Sequence, residues 1–165
     1  MNRAVGIILL LGLQIIVLNH LEFSSYLMPQ VFVMILIGLP PYIKRSYQVL
    51  IGFALGLFMD FFNHSPGLHA SAAMFTVMLR LMILQRYDLE EIVANRTWLN
   101  LGNLSLEKYG FIAAVLTLFY HMYAIGLELI GALNSLNYLL TVVLSSLLAF
   151  LLILLFQFLF SRKSV

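Results

Sequence analysis

The chain has 165 residues, of which 62% are hydrophobic and 10% charged, against roughly 25% charged in a soluble domain, so there is too little polar surface to cover a water-soluble globule. At about 20 apolar residues per crossing, six membrane spans would use about 120 positions and leave no room for a separate soluble domain. A net charge of +2 carried with nine Lys and Arg is too sparse for a nucleic-acid-binding face, and the absence of cysteine excludes disulfide frameworks, thiolate nucleophiles and Cys-based metal sites.

Charged residues punctuate the apolar text, and the intervals between them predict an all-α polytopic integral membrane protein. Its six transmembrane helices cover about 4–21, 27–43, 47–62, 66–84, 109–130 and 138–160, with a polar loop over 85–108. The first span follows Arg3, and no small-x-small cleavage pattern occurs over 19–23, so it reads as a retained helix. In the second, Pro29 opens the span, and Gly38, Pro40 and Pro41 break its far end by removing amide donors.

In the third span Gly52, Gly56 and Asp60 recur at intervals of four and share one stripe. Two glycines at this spacing let another backbone approach closely, so the stripe reads as a packing seam. Asp60 differs, because a carboxylate at the bilayer centre costs about 2.5–3.5 kcal/mol even on the lenient insertion scale. It lies about 20 Å along its helix, toward the outer surface, where water is closer. The turn Asn63, His64, Ser65 is too tight for anything but an antiparallel hairpin, and Ser65, Pro66, Gly67 read as a helix start, with serine as N-cap and proline at the first helical position. Asp60 is therefore expected to accept hydrogen bonds from the first turn of the fourth span, with His64 or His69 nearby; a proton or cation relay and a snorkel to water are the alternatives.

His69 sits in that first turn, where the positive end of the dipole favours a neutral imidazole. Arg80, toward the other end of the fourth span, reads as snorkelling to headgroups or as an ion pair with a partner subunit. In the fifth span His121 and Glu128 are seven apart and share a face; His121 reads as a hydrogen-bonded packing residue and Glu128 as hydrated. One histidine per helix does not make a metal site.

Six spans place both termini on one side, and the basic residues then share it. Arg3, Lys44, Arg45, Arg86, Arg96, Lys108, Arg162 and Lys163 all fall in the termini or in the second and fourth loops, which assigns both termini to the cytoplasm. Tyr26, Tyr42, Tyr47, Tyr87, Tyr109 and Tyr138 fall at span ends and read as an interfacial belt. In the cytoplasmic loop, Leu89, Ile92 and Val93 follow helical spacing among acidic residues, with Trp98 beyond them. This predicts a short amphipathic helix on the inner leaflet, or one docking a cytoplasmic partner. Two glycosylation sequons, at Asn95 and Asn103, lie on the cytoplasmic side and read as chance matches.

Enzymatic chemistry finds no constellation. No G-x-S-x-G element, H-E-x-x-H pair, phosphate-cradling glycine loop or acidic metal cluster is present, and with Glu128 read as hydrated near the outer boundary Asp60 has no second carboxylate with which to share a proton. The expectation is a non-enzyme without cofactor or metal.

The run Gly52-Phe-Ala-Leu-Gly56-Leu-Phe-Met-Asp60-Phe-Phe62, followed by Ser65-Pro-Gly67-Leu-His69-Ala70, resembles the most recognisable segment of the bacterial rod shape-determining protein MreD family, a G-L-x-x-D stretch leading through a hairpin into a small-residue helix start. The six spans, the length and the proline opening the second helix are also similar, so the resemblance covers essentially the whole chain. It implies a scaffold of the cell-elongation complex in the bacterial cytoplasmic membrane. Its implied partners are the bitopic protein MreC, the MreB cytoskeleton, and the RodA transglycosylase with its class B penicillin-binding protein; Gly52, Gly56, Asp60, Ser65, Gly67, His69 and Arg80 are the structural or partner-binding candidates. The alternative is a substrate-binding S-component of an energy-coupling-factor vitamin transporter. Against it, the first helix lacks an A-x-x-x-A pattern and offers only Gly6 and Gly12.

Overall fold

A computed structural model of the chain describes residues 3–18, 27–86, 104–128 and 135–160. Within them every regular element is helical: α1 (Arg3–Leu13), which runs into a π-helical turn (Gln14–Leu18), α2 (Val33–Gly38), α3 (Arg45–Asn63), α4 (Leu68–Leu84), α5 (Leu106–Glu128) and α6 (Ser135–Phe160). The amphipathic helix expected after residue 87, both sequon asparagines, Tyr26 and Tyr87 lie outside the described residues. Three helices, Arg45–Asn63, Leu106–Glu128 and Leu136–Leu159, are long and apolar enough to cross a membrane, whereas Gly6–Ile16 and Leu68–Leu84 are shorter apolar helices.

The second predicted segment departs from expectation, since only Val33–Gly38 of 27–43 is α-helical. Pro29 has no N–H to give and biases its predecessor away from helical backbone. Regular helix therefore begins only after a turn in which Met34 N–H bonds Val31 O at 2.9 Å and Ile35 N–H bonds Phe32 O at 2.8 Å. At the other end Leu39 precedes Pro40 and takes an extended conformation, φ −52° and ψ 138°, as a residue before proline must.

This short element lies at the centre of the molecule. Val31, Phe32, Val33, Leu36 and Ile37 are fully buried, as are Ala72, Ala73 and Val77 of α4, Leu116 and Tyr120 of α5 and Ile153 of α6. The outer faces are apolar instead: Leu140, Leu147 and Leu155 of α6 and Leu50, Leu57 and Phe61 of α3 are exposed. Apolar residues outside and polar ones within suit a lipid surround, where each backbone polar group must be satisfied internally. Tyr109 corrects the interfacial belt: it is 1% exposed and packs into the bundle, while Tyr42 and Tyr47 are exposed. Tyr138 turns its hydroxyl to Met122 O at 2.8 Å.

Candidate functional site

The α3–α4 hairpin is built on Asp60. Its Oδ1 accepts from His69 N–H and from Ser65 Oγ, both at 2.8 Å, and Oδ2 accepts from Ala70 N–H at 2.9 Å. Asp60 is buried, so it satisfies two orphan amides of the first turn of α4 and sets its negative charge at the positive end of that helix. These are the hydrogen bonds expected from the sequence, with two corrections. Ser65 is not the N-cap of α4: it donates to the carboxylate, Pro66 precedes the helix, and the N-cap is Gly67 with no side-chain cap. His69 contributes its backbone N–H to the carboxylate, not its ring, and the His64 side chain is exposed.

The turn needs two left-handed residues. His64 closes α3 at φ 53°, and its N–H and that of Ser65 both return to Asp60 O. Gly67 stands at φ 81°, and a Cβ there would meet nothing within 4 Å; backbone conformation, not space, calls for glycine. Gly56 is the reverse case, because a Cβ there would fall 2.5 Å from Ala70 Cα and 2.7 Å from Ala70 N. At Gly52 it would fall 2.7 Å from Val77 Cγ2. Gly56 facing residue 70 and Gly52 facing residue 77 make an antiparallel seam between α3 and α4.

The His69 ring extends this brace to a third helix. Asn63 Nδ2 donates to His69 Nε2 at 2.9 Å, which leaves the ring proton on Nδ1, 2.6 Å from the Tyr120 hydroxyl of α5. Phe32 packs edge-on against Tyr120, with ring centroids 5.4 Å apart.

At the opposite end of α4, Arg80 corrects both expectations made for it. It neither snorkels nor reaches outward, being fully buried. Its Nε donates to Ile37 O at 3.0 Å, Nη2 to Leu39 O and Nη1 to Gln48 Oε1 at 2.7 Å. Pro40 and Pro41 cannot donate and α2 does not continue past Gly38, so it ends with carbonyls lacking intrahelical partners; the guanidinium supplies the missing donors from another helix. Gln48 relays this clamp onward, its Nε2 donating to Ile43 O at 2.6 Å.

The start of the α2 segment is held in the same way by side chains from three helices. Val31 N–H donates to Gln14 Oε1 at 2.7 Å, Gln30 N–H to His121 Nε2 at 3.1 Å and Met28 N–H to Ser145 Oγ at 2.9 Å. Gln14 Nε2 returns to Pro29 O at 3.2 Å and Gln30 Oε1 at 3.0 Å. Because His121 Nε2 accepts, its Nδ1 carries the proton and donates to Thr117 O at 2.8 Å. Glu128 is exposed at the end of α5 and does not join His121. Thr117 Oγ1 alone among the described buried side-chain atoms lacks a partner.

Comparison with known proteins finds no matching family model, no matching curated protein and no matching solved structure. Among the described residues no group of three His, Cys, Asp or Glu is placed to hold a metal. The arrangement binds helices to one another: Gln14, Gln48, Asp60, His69, Arg80, His121 and Ser145 each turn onto a backbone group or a neighbouring side chain. Sequence reasoning missed Gln14, Gln48, Asn63, Tyr120 and Ser145. Segmentation by charge passes over uncharged amides and hydroxyls, yet a glutamine inside an apolar run is itself the signal, since it must find partners in a lipid surround.

Proposed function

We propose that the chain is a non-enzymatic membrane scaffold of the bacterial cell-elongation complex, crossing the cytoplasmic membrane six times with both termini in the cytoplasm. In this reading it joins an MreC-like bitopic protein and the MreB cytoskeleton to a RodA and class B penicillin-binding protein pair. The observation that carries the proposal is the hairpin. The residues that bear the MreD resemblance are those of the Asp60 brace and the glycine seam, so the motif is spent on shape, as a scaffold requires. In this reading the 27–43 segment crosses with only six helical residues, about 9 Å of rise, its non-helical flanks being held by side chains of the neighbouring helices.

Co-expression with an MreC-like protein from the same source tests the reading. Stable co-purification of the two is expected. Recovery of a retained vitamin and an ATPase module in place of the bitopic partner would overturn it in favour of a transporter S-component. Topology is checked separately on this cysteine-free chain by single cysteines near each end, which should be labelled from the same face of the membrane.

A further inference from the structure

We propose that the turn between α2 and α3 is a docking site for the headgroup phosphate of an anionic phospholipid. The inference rests on the chain being embedded in a membrane, but not on which face the turn occupies. Tyr42, Lys44, Arg45 and Tyr47 are all exposed there, the tyrosines at 41% and 57%. From residue 23 to residue 59 the sequence contains no Asp or Glu, and the first turn of α3 carries no acidic residue. Among the described residues neither Lys44 nor Arg45 meets a carboxylate, and the Arg80 guanidinium behind them bonds only neutral oxygens. The positive charge gathered at this turn is therefore unrelieved within the described chain.

The backbone that leads into the two cations is also held in place. Arg80 fixes the carbonyls of Ile37 and Leu39, Gln48 fixes that of Ile43, and Ile43 N–H bonds Pro40 O at 3.3 Å. A fixed backbone reduces the ordering cost of binding. A lipid fits better than a soluble anion, because the surface continues from the basic turn along the exposed apolar residues Leu50, Ala54 and Leu57 of α3, where acyl chains can lie. The two tyrosines place ring and hydroxyl at headgroup level.

The test is native mass spectrometry of the full chain, purified in detergent and equilibrated with phosphatidylglycerol or phosphatidylcholine. Phosphatidylglycerol should be retained preferentially. Lys44→Gln with Arg45→Gln should weaken that retention about thirtyfold, from the typical contribution of a basic residue near an anionic surface. Gln48→Leu, which keeps both charges but frees the Ile43 carbonyl, should weaken it severalfold. Arg86→Gln with Lys108→Gln should leave it unchanged, and inorganic phosphate should not displace the lipid. Retention surviving the Lys44/Arg45 double substitution in a variant with unaltered helicity would overturn the proposal, as would equal loss with Arg86/Lys108 or displacement by phosphate. A chain that stays soluble without detergent would instead refute the membrane reading beneath it.

Discussion

Replacing Asp60 by alanine tests the brace most directly. The substitution removes the acceptor for His69 N–H and Ala70 N–H, both in buried residues of α4, and leaving a buried donor unsatisfied costs about 1–3 kcal/mol each. Loss of a negative charge at the helix N-terminus adds about 0.3–1 kcal/mol. Against this, removing the carboxylate relieves its desolvation, worth up to about 3 kcal/mol at the bilayer centre and less toward the surface. The Ser65 hydroxyl is only half-buried and can turn to water. The balance is a net loss of about 2–3 kcal/mol. Asp60→Asn keeps one carbonyl oxygen that can accept from one amide, and should lose about half as much by the same reckoning. The assay is equilibrium unfolding in detergent together with amide hydrogen exchange over 66–75. Asp60→Ala should lower the unfolding midpoint and speed exchange in the first turn of α4, while α5 stays protected. Unchanged stability and unchanged exchange in Asp60→Ala would refute the brace. A loss of activity in Asp60→Asn at wild-type stability would favour the proton relay that the sequence also allowed.

The remaining predictions follow from the seam, the clamp and the central junction. Gly56→Ala should cost about 1–3 kcal/mol, because the new methyl meets backbone that cannot give way, whereas Gly52→Ala should cost less, because Val77 can rotate; thermal unfolding of both variants reads the order. Gly52→Leu and Gly56→Leu should reduce recovery of a bitopic partner more than they reduce abundance, as measured by quantitative co-purification. Arg80→Lys keeps the charge but not the planar fork that reaches Ile37 O, Leu39 O and Gln48 together. A cysteine placed at Ile43 should then react several times faster with a water-soluble maleimide. His121→Leu orphans the Gln30 N–H inside the bundle and should lower stability by about 1–3 kcal/mol, with His121→Gln recovering part of it; equal stability of the two variants would remove the hydrogen bond from the account.

Hydrophobic run length and charge spacing were enough to read an all-helical chain, the positions of α3 to α6 to within three residues or so, and the α3–α4 hairpin. They also placed Asp60 over the first turn of the next helix, since a four-residue stripe and a tight turn leave that carboxylate few other partners. These features are local, arising from contacts between neighbours in the chain, and local order is written in periodicity. The fate of the second segment was not legible in that way. Pro29, Gly38, Pro40 and Pro41 announced a broken helix, but not what would take over its hydrogen bonds.

Only the tertiary structure decided that Gln14, His121 and Ser145 serve one end of that segment and Arg80 and Gln48 the other. The same holds for Arg80 turning inward. Near a helix end, a guanidinium can reach headgroups or unpaired carbonyls, and its own sequence neighbourhood looks alike in both cases. The choice depends on whether another helix presents bare carbonyl oxygens within reach, and those belong to residues some forty positions away in the chain. What the chain spells out by itself is where backbone groups will go unsatisfied; which side chain answers them is settled by packing, because the donor and acceptor meet only once the helices have assembled.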